Sequence, residues 1–279
     1  MKLLRHGEIG RESPAVVDTT GQIRDLSGVI HNICSNQLGD EALQELARCD
    51  INTLPIVDPG TRIGPCVADV KRFFCIGLNY SDHAIESGLP IPNNPIVFMK
   101  VCEVTGPNDP ITIPKNSQKT DWEVELGVVI GKIAQHVSQK DALSYVAGYC
   151  VINDVSERAF QTEFGGQWVK GKSCDSFGPI GPYLVTRDEI PDPQALNMFL
   201  DVNGERRQTG NTSKMIFSVA EIIAHLSKFI TLRPGDIIST GTPSGVGMGM
   251  DPPMFLKAGD NIKLGISDLG QQFQKVIAF

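Results

Sequence analysis

The residues best placed to do chemistry lie in the segment Asp121-Trp122-Glu123-Val124-Glu125-Leu126-Gly127-Val128-Val129-Ile130. On a β-strand, Trp122, Val124, Leu126 and Val128 point to one face and Glu123 and Glu125 to the other. Two carboxylates about 6–7 Å apart along a strand repel each other unless a cation lies between them. Hard oxygen donors of this kind suit Mg2+ or Mn2+, with Ca2+ as a third candidate. A half-buried strand with two solvated glutamates accounts for the same pattern. A further carboxylate stands at Asn153-Asp154, where the apolar run 146–152 ends; a metal ligand and an Asx-turn explain this pair equally well. Ser156, Arg158 and Gln161 follow closely, and an arginine there suits a substrate carboxylate.

Three other stretches carry reactive residue types. In Asn79-Tyr80-Ser81-Asp82-His83-Ala84-Ile85-Glu86, a helix would put His83 and Glu86 on one face, where a carboxylate fixes the imidazole tautomer and raises its basicity. The same spacing occurs on ordinary solvated helices. Gly77 on one side and Gly88, Pro90 and Pro92 on the other mark residues 80–87 as a candidate lid. In Lys170 to Pro179, Lys172 could set an ammonium over a developing enolate. Cys174 lacks a neighbouring histidine and is set aside as a nucleophile. Thr240-Gly241-Thr242-Pro243-Ser244-Gly245-Val246-Gly247 is Gly-rich but lacks the Gly-Lys-Ser/Thr ending of a phosphate loop, so its expected use is close backbone approach to a ligand.

The elements that must position these groups are mostly strands. Short β-like runs at 72–76, 95–100, 122–130, 147–153, 196–203, 236–240 and 261–266 are separated by Gly and Pro turns. One clear helix spans 219–229, with Ile222, Ile223, Leu226 and Phe229 at helical spacing and Ser218 as N-cap. Upstream, strands near 15–18 and 23–26 and a helix carrying Ala42, Leu43, Leu46 and Ala47 precede a Pro/Gly-rich stretch. The boundary expected there divides a small N-terminal domain, 1–65, from a catalytic β-roll domain, 66–279. Helices are too sparse for a doubly wound sheet, so a predominantly β architecture is expected.

The net charge of −7 argues against a broad nucleic-acid footprint. An anionic substrate would need a local positive site in this acidic field. Seven cysteines without a Cys-x-x-Cys spacing fit reduced thiols and a cytoplasmic protein. No apolar run approaches the ~18 residues of a membrane span, and the charged start of the chain is unlike a signal peptide.

Taken together and in order, these segments resemble the fumarylacetoacetate hydrolase family over roughly residues 70–270, helped by Asn203-Gly204-Glu205, Gln208 to Phe217 and Leu232-Arg233-Pro234-Gly235-Asp236. The resemblance implies a mixed β-sandwich roll with a small N-terminal domain, α+β and mainly β, usually as a homodimer. It implies metal ligands at Glu123, Glu125 and Asp154, a water-activating pair at His83 and Glu86, a catalytic Lys172, and substrate contacts at Arg158, Gln161 and Thr242. Longer family members carry one more aspartate where this chain has Phe74-Cys75-Ile76-Gly77-Leu78, so three protein ligands are expected. The segment Phe98 to Glu103 departs from the family's usual Phe-x-Lys-Pro-Ser-like stretch, and no substrate contact is assigned there. The implied activity is Mg2+- or Mn2+-dependent hydrolysis of the C3–C4 bond of a 2,4-dioxo acid to pyruvate and a hydroxy acid. The N-terminal segment, Lys119 to Glu123 and Gly171 to Asp175 look most like members acting on 2,4-diketo-3-deoxy sugar acids. Oxaloacetate decarboxylation or muconate-type isomerisation is the alternative within the family, and a non-catalytic metal-containing binding protein the alternative outside it.

Overall fold

The computed structural model describes residues 1–86, 88 and 90–279; Ser87, the end of the candidate lid, lies outside the described residues. The chain runs through strands β1 (Lys2–His6), β2 (Ser13–Val17), β3 (Ile23–Asp25), helix α1 (Asp40–Ala47), β4 (Phe73–Gly77), α2 (Ser81–Glu86), β5 (Ile96–Lys100), β6 (Ile111–Thr112), β7 (Thr120–Asp121) and β8 (Val124–Ile130). It continues with β9 (Val146–Asn153), β10 (Ser156–Glu157), α3 (Arg158–Thr162), α4 (Val169–Lys172), β11 (Ile180–Thr186), β12 (Asn197–Val202), β13 (Glu205–Asn211), α5 (Val219–Phe229), β14 (Ile237–Ser239), β15 (Asn261–Ile266) and β16 (Gly270–Ile277).

Nine strands form one sheet in the order β3-β2-β1-β11-β9-β8-β14-β4-β5, five form a second in the order β13-β12-β15-β16-β6, and β10 pairs with β7. Pairing is antiparallel except for β14 with β4 and β16 with β6. This is the strand-dominated, mixed architecture that the spacing of apolar runs predicts. Strand β8 shows why the two sheets stay together. Its alternating Val124, Leu126, Val128 and Ile130 pack with Leu200, Leu264 and Ile266 of the second sheet and with Ile222, Ile223 and Leu226 of α5. On the opposite face, Val129 joins Phe73, Cys75, Cys150, Ile152 and Ile237 in a cluster completed by Leu3, Val16, Leu26, Leu38 and Leu46. A strand buried on both faces cannot leave a charge in water, and this fixes the environment of Glu123 and Glu125.

Residues 1–65 are tied to the remainder in two ways. Strand β1 pairs with β11, so β1–β3 extend the large sheet, and their side chains share the second apolar cluster. Among the described residues no helix is long and apolar enough to cross a membrane.

Helix α5 forms where the 3.6-residue spacing places it. Ser218 accepts from the Glu221 backbone N–H while the Glu221 carboxylate accepts from Ser218 N–H, a reciprocal cap. Ile222, Ile223 and Leu226 are buried, whereas Phe229, in the last turn, is exposed and lies edge-on to His225. Substituting Ser218 by Ala removes one acceptor from the first turn. It should lower the unfolding free energy by about 1 kcal/mol, read as a shift in the urea midpoint at constant m-value.

Candidate active site

Strand register brings the acidic residues together. Val124 on β8 lies opposite Asn153 on β9, so Asp154, the next residue, falls beside Glu123, and its backbone N–H donates to the Glu123 carbonyl at 2.8 Å. Glu123 and Glu125 leave the same face of the chain and meet Asp154 across it. One oxygen from each of the three carboxylates lies within 4.8 Å of the others, and all three residues are buried. The solvated-strand alternative for Glu123 and Glu125 and the bare Asx-turn for Asp154 are thereby overturned.

The charges around this triad are unevenly shared. Glu123 takes Arg158 Nη2 at 2.7 Å on one oxygen and Lys172 Nζ at 2.7 Å on the other. Burial pushes its pKa up, but Lys172 and Arg158 more than offset this and hold it far below the usual carboxylate range. Lys172 Nζ also reaches Asp154 Oδ2 at 2.7 Å. Burial favours loss of the Lys172 proton, yet Asp154 and Glu123 reverse that and keep it an ammonium. Arg158 is held further by Asp121, which accepts from its Nε at 2.8 Å and also caps the backbone N–H groups of Gly247 and Met248.

Glu125 has no such cation. It accepts from Ser239 Oγ at 2.6 Å and Gly241 N–H at 2.8 Å, and burial, with Asp154 and Glu123 adding to it, pushes its pKa well up. Lys100, wholly enclosed, sits 2.5 Å from Asp154 Oδ1. It also donates to the carbonyls of Val155 at 2.9 Å and Lys172 at 2.6 Å. Four carboxylates (Asp121, Glu123, Glu125, Asp154) thus face three cations (Arg158, Lys172, Lys100). An uncompensated buried charge costs several kcal/mol. Convergent hard oxygens and a buried Glu125 without a cation, whose ionised form a divalent ion would favour, fit such an ion held by Glu123, Glu125 and Asp154.

The histidine pair faces this cluster from α2. Leu78, in the left-handed conformation (φ 52°), turns the chain out of β4. Asn79, fully buried, then anchors the start of α2 by donating to Thr240 O at 2.7 Å and Phe217 O at 3.0 Å. His83 Nδ1 lies 3.0 Å from Glu86 Oε2, and Glu86 Oε1 accepts from Gly245 N–H at 2.8 Å. The Gly-rich loop therefore approaches protein carboxylates with its backbone, through Gly241 to Glu125 and Gly245 to Glu86. Gly245 has no alternative: its φ is 102°, and a Cβ there would lie 2.0 Å from Arg207 O.

A cavity of about 180 Å3 is lined by His83, Glu123, Glu125, Arg158, Gln161, Lys172 and Thr242, and on its apolar side by Leu78, Phe98, Trp168 and Met248. Drug-sized ligands occupy pockets of about 300–1,000 Å3, so this one suits a small acid. Among the described residues four larger hollows lie elsewhere, one of about 910 Å3 around Lys71 and Arg233, and none of them is lined by the acidic triad.

Of the residues singled out in the sequence, seven line the cavity, while Asp154 and Glu86 stand immediately behind it. Arg158 and Gln161 share a face of α3, with Arg158 Nη1 donating to Gln161 at 3.1 Å. The Thr242 hydroxyl is engaged by the protein, donating to Val124 O at 3.0 Å and accepting from Gln208 at 2.8 Å. Cys174 is half-buried, and burial pushes its thiol up to about 11, which agrees with setting it aside.

The reading of segment 98–103 needs correction. Phe98 is cavity wall, and Lys100 is the clamp on Asp154. Trp168 packs edge-on to Phe98 at 5.3 Å and covers Gly77, where a Cβ would lie 2.4 Å from the indole. The sequence places Phe98 and Lys100 in the stretch that departs from the family pattern, and no motif marks Trp168. Their signal is three-dimensional, since β5 and α4 meet only in the fold.

Comparison with known proteins agrees with the geometry. The model of the fumarylacetoacetate hydrolase C-terminal family matches residues 72–277. A Burkholderia ambifaria protein, named no more specifically than as a hydrolase, is 57% identical over 276 residues, 98% of each chain. The fumarylacetoacetate hydrolase of Exiguobacterium antarcticum superposes with a TM-score of 0.87 at 34% identity, covering 100% of both chains. The maleylpyruvate hydrolase of Sphingobium sp. SYK-6, solved with manganese(II) and pyruvate, gives a TM-score of 0.83 at 27% identity over 100% of this chain and 99% of that one. Fold, buried acidic triad and sequence therefore lead to one assignment: the chain belongs to the fumarylacetoacetate hydrolase family.

Proposed function

We propose that this protein hydrolyses the C3–C4 bond of a 2,4-dioxo acid, releasing pyruvate and a carboxylic acid, with Mg2+ or Mn2+ at Glu123, Glu125 and Asp154. The observation that carries the reading is His83, oriented by Glu86 from behind, on the wall of the small cavity that Glu123 and Glu125 also line. A binding protein has no use for an oriented base, and decarboxylation needs no activated water.

The divalent ion, when bound, supplies Lewis-acid polarisation of the substrate's 2-oxo group. The protein's part is to bind, orient and move protons. Arg158 and Gln161 offer donors to the substrate carboxylate, while Phe98 and Trp168 wall the carbon chain. His83, oriented through Nδ1 by Glu86, accepts a proton from water as that water attacks C4. Collapse of the C4 adduct breaks the C3–C4 bond, and its electron pair passes to C3 as pyruvate enolate. Lys172 then lies against the developing negative charge. The proton taken from water returns to C3, so water and dioxo acid are converted to the two acids without any redox partner.

The maleylpyruvate hydrolase crystallised with manganese and pyruvate supports this reading, since pyruvate is the product expected here. A 2,4-diketo-3-deoxy sugar acid is the substrate that the subgroup resemblance favours. A homodimer in the cytoplasm completes the proposal, and light scattering reads the oligomer directly.

Two outcomes are expected. Mn2+ added to protein stripped with EDTA should restore activity and raise the melting temperature, with a stabilisation of about 2.7 kcal/mol when free Mn2+ is a hundred times Kd. Glu125→Ala should lose both effects, and full activity of the EDTA-stripped parent, with metal removal verified, would sink the metal assignment. His83→Gln should lower kcat for acylpyruvates by about 10²–10⁴-fold with little change in KM, and should affect oxaloacetate decarboxylation much less. Equal loss of both reactions, or an unchanged kcat, would favour the lyase reading instead.

A further inference from the structure

The acidic segment enters β8 without a regular ladder. Strand β7 stops at Asp121 and β8 begins at Val124, so the chain at Trp122–Val124 has left one pairing and is only entering the next. Three successive backbone donors there are taken by side chains. Trp122 N–H donates to Asp121 Oδ1 at 2.8 Å, Glu123 N–H to Asn153 Oδ1 at 3.1 Å, and Val124 N–H to Gln208 Oε1 at 2.9 Å.

Two of these grips lead to buried glutamines on the second sheet. Gln208, on β13, is fully buried. Its amide nitrogen donates to Thr242 Oγ1 at 2.8 Å and Pro243 O at 2.9 Å, while Thr242 Oγ1 donates to Val124 O at 3.0 Å. Gln208 and Thr242 therefore hold residue Val124, which lies between the two glutamates, by its N–H and its C=O. Gln274, on β16, accepts from Asn153 Nδ2 at 2.8 Å and donates to Gln272 at 2.6 Å. Gln272 in turn donates to the carbonyls of Val151 at 2.8 Å and Gly181 at 2.9 Å. Asn153 is thus fixed at its nitrogen so that its oxygen meets Glu123, and the neighbouring Asp154 N–H takes the Glu123 carbonyl.

We infer that Gln208 and Gln274 are positioning residues for the cation-binding carboxylates, acting from the second sheet through the backbone of Val124 and through Asn153. The inference rests on the cation reading of Glu123, Glu125 and Asp154. An isolated buried glutamine would be satisfied by any partner. Here both amides converge on one three-residue segment, and the residues flanking Val124 are the two glutamates. Groups that orient metal ligands from outside the coordination shell typically change affinity about 10–100-fold when removed.

The test measures Mn2+ affinity of the full chain by electron paramagnetic resonance of free Mn2+. Gln208→Met and Gln274→Met keep side-chain length and apolar packing but cannot make these hydrogen bonds. Each should weaken Mn2+ binding at least tenfold. Leu4→Ala, in a separate apolar cluster with Ala15 and Val57 that does not include Val124, serves as the control: it should lower the melting temperature by a comparable amount and leave Mn2+ affinity unchanged. Where a methionine variant fails to fold, Gln208→Asn and Gln274→Asn, which keep the amide but shorten its reach, carry the same comparison. Unchanged affinity in the folded glutamine variants, or an equal loss in Leu4→Ala, overturns the positioning role. A parent protein that binds no Mn2+ removes the cation reading itself, a result distinct from either.

Discussion

The structure turns on one electrostatic constraint, the burial of four carboxylates against only three cations. Asp121, Glu123, Glu125 and Asp154 are each at most 4% exposed, and Arg158, Lys172 and Lys100 must reach them through the protein. Each cation is delivered by a different element, α3, α4 and the end of β5, so the short helices and the edge strand are held where the charges need them. The arrangement leaves Glu125 served only by a hydroxyl and an amide. A divalent ion at the triad would favour the ionised form that burial disfavours at Glu125.

The same constraint explains the Gly-rich loop. Its backbone donors go to protein carboxylates, Glu125 from Gly241 and Glu86 from Gly245, so one loop supports both the acidic triad and the His83–Glu86 pair. Helix α2 is short, yet Asn79 holds its start and Gly245 its end. The imidazole is oriented by groups that are themselves fixed, as transition-state positioning requires.

Much of this was legible from residue types and spacing, and what was not has a common cause. The acidic pair, the His–Glu pair and α5 follow the periods of strand and helix, and they were found where periodicity predicts. Strands β13 and β16 escaped because their buried faces are polar. In β16 the inward residues include Gln272 and Gln274, while Phe273 faces outward, half exposed, so the alternation reads backwards. In β13 the one fully buried side chain is Gln208. Hydropathy cannot report a strand whose inward side chains serve as hydrogen-bond donors and acceptors. Lys100 stands in the stretch compared with the family pattern, but its role is not legible there: a lysine closing an apolar strand looks like a solvated end, and only the fold reveals Asp154 beside it.

The contact between Gln274 and Asn153 has a consequence for the order of events during synthesis. The two residues are separated by 121 positions, and β16 leaves the ribosome after every other described strand. Until it does, the amide of Asn153 lacks its partner and the acidic segment beside it is held from one side only. A nascent chain lacking β16 therefore carries Glu123, Glu125 and Asp154 beside a segment without its Gln274 latch. Such a non-local latch is slow to find and late to form.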